Sequence, residues 1–171
     1  PDQPVPSDAE AWLLAQIDQP APHPPPPVGF DHVPTVADGF RVWRERDAAG
    51  PVQPGQVTPV ETYVMAESVA ACAWRINTPA PFRERLVDFW SNHFAISGRA
   101  GTHVAVTVPS FVRDVIRAHV TGRFVDMLVA STTHPAMLGY LDQAASVGPD
   151  SPIGRKTGRG LNENLAREVM E

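Results

Sequence analysis

The stretch TPVETYVMAESVAACAWRINTPAPFRERLVDFWSNHF, Thr58 to Phe94, decides the fold, because it twice sets a capping residue directly before a proline. Thr58-Pro59-Val60-Glu61 combines an N-cap, a first-turn proline and a capping-box glutamate, which predicts a long helix from Pro59 to about Asn77. Its alanine-rich, almost all-round apolar character predicts a central, buried helix. Thr78-Pro79 repeats the signal and predicts a second helix to Phe94, and so short a joint predicts a helical hairpin. At about 100° per residue, Phe82, Leu86, Phe89 and Trp90 fall on one stripe with Arg83, Glu84, Arg85 and Asp88 outside it. His93 lies within that stripe. An imidazole held against aromatic rings needs hydrogen-bond partners, so a polar group is expected to meet it.

Upstream, proline governs the reading: 13 of the 19 prolines lie in the first 60 residues, and helix interiors reject them. Ser7 with Glu10 is a capping-box pattern that opens a short helix from Asp8 to about Asp18, which Pro20 stops. Pro24 to Pro27 favours extended polyproline II, read as a strap over the core rather than a ligand for an aromatic groove. A helix from Val36 to Ala49 ends at Gly50, with Arg41, Arg44, Glu45 and Arg46 on its solvated face.

Downstream, residues 97–103 have loop composition and carry His103. Pro109 starts a helix that Gly122 stops, with His119 near its end; a short apolar helix runs from Arg123 to about Ser131, and His134-Pro135 initiates one to Asp142. Residues 143–160 read as irregular. Asn162 caps a helix that continues to Glu171 with no stop signal, so the polypeptide is expected to continue and to pack its remainder on this chain. Val104 to Val108 is the one short β-branched run, too little for a sheet. The expected class is all-α, an irregular multi-helix bundle in one domain. A proline-rich, loop-rich segment, 1–57, packs on a helical core, 58–171.

Composition narrows the function classes. The 43% hydrophobic and 19% charged content is that of a globular chain. A net charge of −5 and a pI near 5.6 argue against a general nucleic-acid binder, which needs a basic face. No apolar run is long enough to span a membrane. The single Cys72 cannot form an internal disulfide, and its alanine-rich surroundings predict inert packing. The Gly and Lys spacing around Arg155, Lys156 and Arg159 does not match a phosphate loop.

Two sets of residues remain for chemistry. On the terminal helix, Glu168 borders the Leu161, Leu165, Val169 stripe, so it is expected to be partly buried and therefore paired. Ion pairs with arginine, or a network with Asn92, His93, Asn164 and Arg167, would satisfy it. The sharper alternative joins His93, Glu168 and Glu171, completed by His103 or Asp142, as a site for zinc, iron or manganese. Glu-x-x-His and His-Glu-x-x-His, the strong helical signatures, are absent. His93 and the terminal helix are expected to meet, since each carries a polar group that needs a partner. Function is then either that of an enzyme, metal-dependent in the sharper form with His93 and Glu168 as its candidate catalytic residues, or that of a helical scaffold that holds a protein partner.

Three stretches together resemble the bacterial family known as domain of unknown function 1800: Arg83 to Phe94 (RERLVDFWSNHF), Gly122 to Leu128 (GRFVDML) followed by Pro135 to Asp142 (PAMLGYLD), and Asn162 to Glu171 (NENLAREVME). The likeness extends loosely to Ala11-Trp12-Leu13-Leu14-Ala15-Gln16 and so covers nearly the whole chain. It implies bacterial origin, a periplasmic or secreted location rather than a cytoplasmic one, and no activity that can be carried over. It also implies a continuation Leu-His-Thr-Leu-Gly after Glu171, whose histidine would add an imidazole two residues on.

Overall fold

The computed structural model describes residues 6–18 and 23–171; Pro20, expected to stop the first helix, lies outside them. Among the described residues there is no strand, and the chain is all-α. The long helices are α1 (Ala9–Asp18), α2 (Val36–Ala48), α3 (Pro59–Asn77) and α4 (Pro81–His93). Further helices follow: α5 (Thr102–Ala105), α6 (Val108–Phe111), a π-helical turn (Val112–Arg117), α7 (Phe124–Thr133), as long as α1, then α8 (Pro135–Tyr140), α9 (Pro152–Thr157) and α10 (Asn164–Met170). The β-branched run 104–108 is thus absorbed into helical turns.

Where capping chemistry is complete, the helix begins where the sequence says. Thr58 accepts from Glu61 N and Glu61 accepts from Thr58 N at 2.7 Å, the reciprocal box that opens α3. Thr35 and Asp38 do the same for α2, and Asp38 also takes His32 and Arg41. The backbone N–H and hydroxyl of Thr35 hold the Asp38 carboxyl far below its ordinary range. At α4 the Thr78-Pro79 signal misplaces the start. Thr78 accepts from Ala80 N instead, and Gln16, on α1, supplies the cap: its Oε1 accepts from Phe82 N at 2.8 Å.

Two apolar clusters make the core. Val87 of α4 packs with Phe111, Val115 and Ile116 and with Met127, Ala136 and Met137 of α7 and α8. Val60 and Tyr63 of α3 pack with Val106, and Phe30 meets Tyr63 edge-on at 5.7 Å. α2 crosses close to α5 at Gly39, where a Cβ would lie 2.5 Å from the Val106 carbonyl oxygen.

The expected central hairpin is not what forms. α3 packs chiefly on α2 and α6, while α4 packs on α1 and the π-turn; Arg75 and Asp88, 2.8 Å apart, join α3 to α4 at the surface. Only one side of α3 is buried. Met65, Val69, Cys72 and Ile76 are exposed, so Cys72 is a surface thiol rather than inert packing. The apolar stripe of α4 is likewise rotated from the expected one: its buried face is Ala80, Arg83, Glu84 and Val87, with Phe89 exposed. The cause is a charge pair. Glu84 receives both Arg117 Nη1 and Nη2, the latter at 2.9 Å, with both side chains almost fully buried, and Arg83 donates to the Gln16 and Ile17 carbonyls at the end of α1. A carboxylate can turn inward when a bidentate guanidinium meets it, because the two charge-assisted bonds offset part of the cost of leaving water.

Candidate functional site

α4 ends at His93, which Phe94 closes by donating its N–H to Trp90 O at 2.9 Å. Residues at i, i+3 and i+4 share a helix face, so His93 stands edge-on to Trp90 at 5.3 Å, with Phe94 at 4.8 Å. Phe124, the first residue of α7, stacks on Phe94 at 6.2 Å. Leu165 packs on the core cluster and brings α10 alongside, and Asn162 fixes its approach by donating its N–H to Ser146 Oγ at 2.8 Å. The N-cap position of α10 is Glu163 rather than the expected Asn162, whose Oδ1 accepts from Asn164 N at 2.9 Å from one residue further back.

Between α4, α7, α8 and α10 lies a pocket of about 310 Å³. His93, Glu168 and Glu171 line it together with Phe94, Phe124 and Tyr140, and neither lysine nor arginine is among its walls. The three residues singled out from sequence are therefore brought to one place, but not in the expected state. His93 and Glu168 are both exposed, not buried and starved of partners, because the buried side of α4 is the one that carries Glu84. Arg167 donates to Asn164 Oδ1 at 3.0 Å, so those two form a link along α10, while Asn92 is exposed at the end of α4.

The other two residues of the proposed metal set lie elsewhere. The His103 ring is 5.8 Å from that of Trp43, against Gly139 of α8. Asp142 follows α8 in a left-handed conformation and is exposed. Among the described residues no group of three or more His, Cys, Asp or Glu side chains could hold a metal ion. The donor set does not fit a resident zinc, iron or manganese ion.

His134 and His119 have structural roles. His134 is buried, which pushes its imidazole down and favours the neutral form. Its Nδ1 accepts from Ala136 N at 3.1 Å and caps α8, so the proton sits on Nε2. His119 Nδ1 lies 2.7 Å from Val115 O within its own helix.

Sequence reasoning missed a second cavity, lined by Glu67, Trp74, Arg113 and Arg117. The signal was present: Val60, Tyr63, Glu67, Ala70 and Trp74 recur at helical spacing, a carboxylate in the middle of an apolar line.

The sequence profile of the family described as "Protein of unknown function (DUF1800)" matches residues 2–171. The chain belongs to this family. No curated protein and no solved structure matches it. Among the described residues no helix is long and apolar enough to cross a membrane.

Proposed function

We propose that the pocket between α4 and α10 binds a small, largely apolar molecule with a cationic end, and that His93 exchanges a proton with it. The observation that carries this reading is the make-up of the walls: His93, Glu168 and Glu171 beside Phe94, Phe124 and Leu128, without a basic side chain. Aromatic and aliphatic surface takes the body of such a ligand, while carboxylates and ring faces attract its charge. The enzyme form of this reading needs no metal. His93 is the one imidazole in these walls, and a ring nitrogen at the rim can take a proton from the bound molecule or return it.

The alternative, a scaffold offering its proline-rich front to a partner, draws less support. Pro24, Pro25 and Pro27 line a cavity of their own chain, as a strap does. The two readings separate in one titration. Phenethylamine should quench or shift tryptophan emission, since Trp90 contacts His93 and Phe124, and Glu168→Gln should weaken its binding about tenfold, the equivalent of roughly 1.4 kcal/mol. If phenylacetate binds as well as the amine, or Glu168→Gln changes nothing, the reading fails.

A further inference from the structure

The strap of Pro24, Pro25 and Pro27 roofs a cavity of about 390 Å³ whose opposite wall is built by α3 and residues 108–117. This cavity is distinct from the His93 pocket and shares no lining residue with it. Its walls are mostly proline, alanine, valine and tryptophan, but they hold an unusual concentration of unmet polar groups. Glu67 Oε1, Trp74 Nε1 and Arg117 Nε, all in lining residues, are buried without a hydrogen-bond partner. Native interiors pair nearly all such atoms, so several orphans around one void call for a missing partner.

Charge says what kind. Arg117 spends both Nη atoms on Glu84. Arg113 gives Nη2 to the Pro34 carbonyl and Nε to Asp114 Oδ1, and its Nη1 stops 4.0 Å from Glu67 Oε1, too far for a hydrogen bond. The Glu67 side chain is only 10% exposed. Against the larger upward push of burial, the buried Tyr63 hydroxyl lies near enough to lower the Glu67 carboxyl somewhat, but it falls short of hydrogen-bond geometry. Residues 112–117 form a π-turn, a widened helix that is frequent at functional sites, and it is this turn that carries Arg113 and Arg117 to the cavity.

We propose that this cavity binds a small apolar carboxylate, with Arg113 and Glu67 holding its carboxyl end and the proline strap covering its body. A carboxylate oxygen placed beside the two, on the cavity side, can reach both Arg113 Nη1 and Glu67 at hydrogen-bond distance. Burial already pushes the Glu67 carboxyl up, and an incoming anion pushes it further, so the two carboxyl groups share one proton. Glu67 then donates while Arg113 supplies the charge-assisted bond. An amine of the same shape would place a cation beside Arg113 and Arg117 and is rejected.

Cys72 makes the proposal testable, since it is the single cysteine of the chain, exposed, and part of the lining. The rate at which iodoacetamide alkylates Cys72 is measured with 4-phenylbutyrate, with octanoate and with 4-phenylbutylamine. Saturating carboxylate should slow alkylation by about tenfold and the amine should leave it unchanged. Arg113→Gln should raise the half-protecting concentration about tenfold, whereas Glu67→Gln, which mimics the protonated acid, should keep it within about twofold. Ala71→Phe, which fills the void from α3, should abolish protection in a chain whose circular dichroism is unchanged, and covers the case in which Arg113→Gln does not fold. Absence of protection by both carboxylates, equal protection by the amine, or protection that survives Ala71→Phe would overturn the proposal.

Discussion

The two ends of the stretch from Arg83 to Phe94 both carry ionisable side chains, Arg83-Glu84 at one end and His93 at the other, and use them in opposite ways. At Glu84 the charge is enclosed, bidentate with Arg117 and sealed beneath α4, with both side chains at 7% exposure or less. At His93 the polar group is open, edge-on to the rings of Trp90 and Phe94 at the rim of a pocket. Enclosed charge whose carboxylate is met by a bidentate guanidinium specifies how helices fit together; open charge among aromatic rings is free to meet something else. What separates a structural from a functional polar residue here is whether its partner is already supplied by the fold.

The sharpest way to break this comparison is Glu84→Ala. It leaves the Arg117 guanidinium buried without its carboxylate, and removal of one partner of a buried pair costs about 3–5 kcal/mol. Urea denaturation should show that loss, and Glu84→Leu combined with Arg117→Met should recover much of it, because a well-packed apolar pair escapes the desolvation penalty. A Glu84→Ala loss below about 1 kcal/mol would mean that the pair behaves as a surface contact, and the contrast with His93 would collapse.

A smaller effect tests how α4 is held. Gln16→Ala removes the Oε1 that accepts from Phe82 N and the Nε2 that donates to Trp12 O at 3.2 Å. One buried backbone donor is left unsatisfied, at about 1–2 kcal/mol. Gln16→Glu keeps the acceptor and should lose less. Equal losses for the two variants would show that the cap does not fix the start of the helix.

How much of this was legible depends on which physical rule governs each place. Helices α2 and α3 begin within a residue of expectation, since Thr35 with Asp38 and Thr58 with Glu61 cap locally. The start of α4 moved from Pro79 to Pro81 because its cap comes from Gln16, far away in sequence. The face of α4 was misjudged for a similar reason: an apolar stripe counts only apolar residues, and the buried Glu84 has its partner 33 positions downstream. α3 looked central because alanine reads as apolar, although alanine also tolerates water, and α9 went unseen because its Ser151 cap sits in a loop rich in glycine and proline. At the site, His93, Glu168 and Glu171 were found by their types and positions, and they do line one pocket. Their burial was not legible, since it follows from the rotation that Glu84 imposes.

That difference changes the smallest predicted effect. From sequence, His93 and Glu168 were expected to be mutually dependent, each stranding the other if removed. Both are exposed, and neither needs the other to escape a desolvation penalty. His93→Ala and Glu168→Ala should each change stability by less than about 0.5 kcal/mol, as exposed substitutions do, and the double variant should match their sum. Phenethylamine affinity should behave otherwise, because both residues face one pocket and a bound ligand would couple them. In its presence the two substitutions should each weaken binding, and the double variant should cost less than the sum of the two, since either loss already loosens the cation's seat. Additive stability with non-additive binding is the signature of a site assembled for a ligand. Non-additive stability with no ligand present would instead make His93 and Glu168 a structural pair like Glu84 and Arg117, and the two ends of the helix would then differ only in degree.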